Sequence, residues 1–99
     1  MGLLTKLEES MFGPSVDYAE LIVNGAIIVD VRTPQEFMSG HAPRSKNIPL
    51  QTLSSKVKSL KGKEVILVCR SGARAGQAKS ILQQNGITAY NAGPWQKLS

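Results

Sequence analysis

The chemistry in this chain concentrates in one hexapeptide, Cys69-Arg70-Ser71-Gly72-Ala73-Arg74, which holds the only cysteine with an arginine on either side of a small, glycine-containing turn. Sulfur is nucleophilic as the thiolate, and the thiolate is favoured beside arginine and where the N–H groups of a helix start converge. Cys69 is therefore the candidate catalytic nucleophile. Arg70, Ser71, Gly72, Ala73 and Arg74 form a candidate substrate or anion-binding loop. An isolated cysteine at a strand end is otherwise a small core hydrophobe, and it is the loop and its two arginines that favour chemistry here.

Such a loop works only if it is held between rigid elements. Val65-Ile66-Leu67-Val68 is a continuous apolar run bounded by Gly62 and Gly72, the pattern of a strand buried on both faces of a parallel sheet. Ala75, Ala78, Ile81 and Leu82 then recur at helical spacing up to Asn85-Gly86, which predicts a helix directly after the loop. Strand, loop and helix together place Cys69 at the carboxyl edge of a sheet, where open α/β folds bind ligands.

A second apolar run, Ala26 to Val31, predicts a neighbouring buried strand ending in Asp30-Val31-Arg32. Asp30 and Arg32 could tie loops together through an ion pair, or line the crevice beside Cys69. Thr33-Pro34-Gln35-Glu36 is a helix start with a capping box and proline at the first position, and Gly40 ends that helix. A short strand is expected near Ser45 to Asn47. Leu50, Leu53, Val57 and Leu60 predict a helix that Gly62 stops.

Before these, Leu3, Leu4, Leu7 and Met11 share one helical face up to Gly13-Pro14, and Asp17 with Glu20 caps a short helix through Asn24 that Gly25 terminates. At the other end, Thr88 to Asn91 predicts a last strand, after which Gly93-Pro94-Trp95 turns the chain away. Alternating short strands and helices predict an α/β sandwich with a mainly parallel sheet.

Ninety-nine residues with 41% hydrophobic content suit one compact domain with one core. A single cysteine precludes an internal disulfide framework and any internal resolving thiol, and it suits a reducing compartment, so a cytoplasmic location is expected. No apolar stretch approaches membrane-spanning length. The net charge of +5 is uneven: of the acids only Glu64 lies beyond residue 36, among ten Lys and Arg. That bias favours a small anionic substrate or an acidic partner surface. Nucleic acid is the less favoured reading, because only Lys58, Lys61 and Lys63 cluster tightly and no aromatics interleave with them. No His/Cys/carboxylate set has metal-ligand spacing, so no metal is expected.

Taken together, the blocks resemble a single-domain rhodanese. Cys69 to Arg74 matches that family's six-residue active-site loop. Asp30-Val31-Arg32-Thr33-Pro34-Gln35-Glu36-Phe37 matches its Asp-Val-Arg segment, and Gly40-His41-Ala42-Pro43 and Asn47-Ile48-Pro49 match the stretch after that segment, in the family's order. Two stretches depart from the pattern: Arg44-Ser45-Lys46 replaces a small Gly-Ala element, and Asn91-Ala92-Gly93-Pro94-Trp95 is a shortened form of the usual Gly-Gly turn to the tryptophan.

The resemblance implies a three-layer α/β/α sandwich forming one rhodanese-like domain, with a core of about 16–95 and an amphipathic extension over 1–14. It implies a thiosulfate sulfurtransferase-like activity without cofactor, in which a small anionic sulfur donor loads Cys69 as a persulfide. A thiol, a protein cysteine or cyanide then takes the sulfur, and Arg70 and Arg74 hold the donor's oxyanion. Asp30 and Arg32 become supporting residues, and His41, whose type would suit a base for Cys69, becomes structural. Phosphatases and arsenate reductases of the same fold carry Cys-x5-Arg, but here Ala75 stands at that arginine's place. Non-catalytic binding modules of the family commonly lack the cysteine.

Overall fold

The computed structural model describes residues 16–99. The expected helix of Leu3, Leu4, Leu7 and Met11 lies outside them. The elements in chain order are α1 (Tyr18–Val23), β1 (Ile27–Asp30), α2 (Pro34–Met38), β2 (Lys46–Asn47), a 3-10 helix (Leu50–Lys56), α3 (Val57–Leu60), β3 (Val65–Cys69), α4 (Ala73–Gln84), β4 (Ala89–Pro94) and a closing 3-10 helix (Trp95–Leu98).

The four strands of the described residues are all parallel, in the order β2-β1-β3-β4. Their carboxyl ends therefore gather on one edge, where Asp30 pairs in register with Asn47 and Val68, and Cys69 with Pro94. Every residue of β3 is buried, as its uninterrupted apolar run requires. Burying each of its larger aliphatic side chains contributes roughly 1.5–3 kcal/mol.

The two faces of β3 feed two cores. Val65, Leu67 and Cys69 pack with Val29, Leu53, Leu60, Ala78 and Leu82 on one side. Ile66 and Val68 pack with Ile28 and Ala92 on the other, against Tyr18, Leu21, Trp95 and Leu98. Helices thus cover both sides of the sheet, which makes the α/β/α sandwich.

Local signals explain the element starts. Asp17 accepts from the Glu20 N–H at 3.0 Å to begin α1. Thr33 and Glu36 form a reciprocal capping box at α2, with Pro34 in its first turn. The expected helix over Leu50–Leu60 winds mostly as 3-10 and relaxes to α only at Val57. The reason is local: Thr52 and Ser55 each bond the carbonyl three residues back, at 3.0 and 2.7 Å, which favours the tighter winding. The last strand begins at Ala89 and runs to Pro94, beyond the expected end at Asn91. A bulge lets it continue, since Leu67 pairs with Asn91 but Val68 with Gly93, leaving Ala92 as the extra residue. Pro94 is tolerated because β4 is an edge strand of the described sheet.

Candidate active site

The site is built where β3 stops and α4 starts. The N-cap of α4 is Gly72, in the left-handed region at φ 110°, which has no side chain with which to cap the helix. The Cys69 sulfur takes that place. Its Sγ accepts from the Gly72 N–H at 2.9 Å and from the Ala75 N–H at 3.4 Å. Burial alone would push the thiol up, but the N–H groups of Ala75, Gly72, Ser71 and Arg74 outweigh it and hold the thiol below its ordinary value. Cys69 is only 1% exposed, so its sulfur forms the floor of the cradle. Arg70, Ser71 and Ala73, all exposed, form the rim.

The two arginines have different fates. Arg74 donates to Glu36 through both terminal guanidinium nitrogens, at 2.7 Å to Oε1 and 3.1 Å to Oε2. Glu36 thus has a second role besides closing the α2 capping box: it ties α2 to the first turn of α4. Arg74 holds the Glu36 carboxyl down at about 2, helped by the Thr33 backbone. In return the Glu36 hydrogen bonds lift Arg74 above its ordinary value, with the charges of Glu36, Cys69 and Asp30 acting in the same direction. Arg70 is exposed and makes no ion pair among the described residues, so its guanidinium is free to meet a ligand.

Asp30 and Arg32 form a brace beneath the site. Both are buried, at 0% and 4% exposure. Arg32 donates to the Asp30 carboxylate from its backbone N–H, from Nε and, at 2.7 Å, from a terminal nitrogen that also reaches the Gly40 carbonyl at 2.7 Å. The Trp95 ring lies 4.9 Å from the guanidinium. Asn47 completes the brace by donating to the carbonyls of Asp30 and Arg32 at 3.1 and 2.9 Å. With these donors and acceptors engaged inward, the pair ties loops together. His41 is likewise occupied, stacked on Phe37 at 3.7 Å with Nδ1 on the Phe37 carbonyl at 2.8 Å.

Beside the loop lies a groove of ≈ 400 Å³, lined by Ser71, Gly72, Asn91, Gly93 and Lys97 among others. Sequence reasoning missed three contributors: Glu36 as Arg74's partner, Trp95 over Arg32, and Asn91, which donates to the Gly72 carbonyl at 3.0 Å. Only Asn91 left a trace, as a polar residue just before Gly93-Pro94, the composition of a strand irregularity. Among the described residues no helix is long and apolar enough to cross a membrane.

A family profile described as a Rhodanese-like domain matches residues 15–94. Among curated proteins, the chain is 35% identical over 69 residues to the thiosulfate sulfurtransferase PspE of Escherichia coli (strain K12), an alignment covering 66% of each chain. It is 36% identical over 61 residues to a sulfurtransferase of Allochromatium vinosum, covering 61% of this chain and 57% of that one. Among solved structures, a rhodanese-related protein of Thermoplasma volcanium is similar with a TM-score of 0.71 and 31% identity, covering 85% of this chain and 88% of that one. The chain spans 54%, 57% and 66% of the length of three curated relatives that it matches.

Proposed function

The chain belongs to the rhodanese-like domain family, and from that premise we propose that it is a sulfurtransferase whose nucleophile is Cys69. The Cys69 thiolate attacks the outer sulfur of thiosulfate or of another sulfane donor. The donor's S–S bond breaks, its electron pair leaves with sulfite, and a persulfide remains on Cys69. A thiolate, a protein cysteine or cyanide then attacks the terminal sulfur, and Cys69 departs as the thiolate. No resident cofactor is needed, because each half-reaction exchanges one S–S bond or forms the acceptor's new bond to sulfur at the expense of the persulfide.

The observation that supports this reading best is the convergence of backbone N–H groups on the sulfur, 2.9 Å from Gly72 and 3.4 Å from Ala75. Donors already aimed at one point stabilise negative charge on the thiolate and on the persulfide that replaces it. Arg70 meets the anionic end of the donor at the rim, while Arg74, committed to Glu36, holds the loop. Asp30 and Arg32 support the loop from below. A chain whose working group is a free thiol suits a reducing compartment such as the cytoplasm.

The test is the intact mass of the protein after thiosulfate treatment, in wild type and in Cys69→Ala. The expected result is a gain of one sulfur atom in the wild type, reversed by cyanide and absent from the variant. Hydrolysis of an aryl phosphate without sulfur gain would instead assign phosphoryl chemistry. Silence in both assays would make the chain a binding module.

A further inference from the structure

Asn91 belongs to an edge strand, yet its carboxamide is fixed at both ends. Its Oδ1 accepts the Gly93 N–H at 2.9 Å within the β4 bulge, and its Nδ2 donates to the Gly72 carbonyl at 3.0 Å. The carboxamide also fills a slot between two glycines. A Cβ built on Gly72 would lie 3.7 Å from Oδ1, and one on Gly76 would lie 3.5 Å from Nδ2.

Gly72 is the residue that most needs such a restraint. At φ 110° it carries no side chain to limit its backbone, and it is the residue whose N–H reaches Cys69 Sγ at 2.9 Å. Its carbonyl also accepts the Gly76 N–H at 2.9 Å, a bond that starts α4 and does not involve Asn91. The carbonyl lies on the Gly72–Ala73 peptide and the donor N–H on the Ser71–Gly72 peptide, so loss of the Asn91 contact would leave the helix start in place and remove the strand-side restraint on Gly72, the pivot between the two.

We propose that Asn91 is a positioning residue for the nucleophile: by fastening the Gly72 carbonyl to the β4 bulge, it keeps the loop's N–H groups directed at Cys69. The proposal rests on Cys69 being the reactive group. It adds that the reactivity of that sulfur is set partly from a strand the loop does not belong to.

The test uses Asn91→Leu, similar in size with neither donor nor charge, and Asn91→Ser, which keeps an oxygen for the Gly93 turn but is too short to reach Gly72. Alkylation of the single cysteine by iodoacetamide, followed across pH, reports the thiol's titration midpoint. In both variants the midpoint should rise by about one unit, so that alkylation at a pH below it slows about tenfold, while circular dichroism retains the wild-type helix content. If the leucine variant fails to fold, the serine variant decides alone. An unchanged midpoint overturns the proposal, also when thermal stability falls, since Asn91 would then serve the fold only. Because alkylation needs no sulfur donor, failure of the wild type to load sulfur would end the transfer reading without altering this result.

Discussion

At the scale of single residues, the proposed function separates groups left open to a ligand from charges engaged within the chain. Among the described residues, Cys69 and Arg70 form the loop's floor and rim outside any ion pair, whereas Asp30, Arg32 and Arg74 are consumed by internal pairs. The Asp30–Arg32 pair makes the clearest mutational case. Removing one member of a buried, fully hydrogen-bonded pair leaves the other charge stranded, at a cost of about 3–5 kcal/mol. Asp30→Asn is expected to lower the unfolding free energy, measured by urea denaturation, by about that amount. A loss below about 1 kcal/mol would show that Arg32 finds other partners and that the brace is not structural.

At the scale of elements, the candidate active-site loop is held from two sides that do not touch it in sequence: α2 through Glu36 and β4 through Asn91. The first of these is titratable. Because the Glu36 carboxyl is held at about 2 in the folded chain, below its ordinary value, the Arg74 pair stabilises the fold above the ordinary carboxylate range. That contribution is lost as pH falls toward the folded value. Glu36→Gln should therefore be less stable than wild type at neutral pH and converge with it near pH 2, read from denaturation curves at both. A difference that persists unchanged in acid would mean that glutamate acts there through packing and not through its charge. Since both partners are about one-third exposed, the neutral-pH difference is expected to be small.

At the scale of the molecule, four parallel strands deliver every carboxyl end to one edge, and the acids near that edge, Asp30 and Glu36, are both neutralised by internal partners. Arg70, exposed on the loop's rim, and Lys97, which lines the groove beside the loop, have no ion pair among the described residues. Association with a small anionic donor should then be assisted by the field and weakened by salt. The second-order rate of Cys69 loading by thiosulfate is expected to fall by several-fold between low and physiological ionic strength, and Arg70→Ala should flatten that dependence. Equal salt sensitivity in wild type and variant would remove Arg70 from the substrate-facing role.

The sequence alone determined what is encoded locally. Continuous apolar runs announced β1 and β3, capping residues located the starts of α1 and α2, and the small basic hexapeptide after a buried strand marked Cys69 as the candidate reactive sulfur. What it left open depended on partners distant in the chain. Whether Asp30 and Arg32 line a crevice or brace it, that Arg74 belongs to Glu36 across 38 positions, and that Asn91 reaches Gly72 across 19, were decided only when the sheet placed those side chains within bonding distance. Even the winding of the segment after Pro49 came from hydroxyls that its apolar spacing does not reveal. A motif can specify a nucleophile because backbone geometry near it is local, whereas the assignment of a charge to ligand or to scaffold depends on which opposite charge the fold brings close.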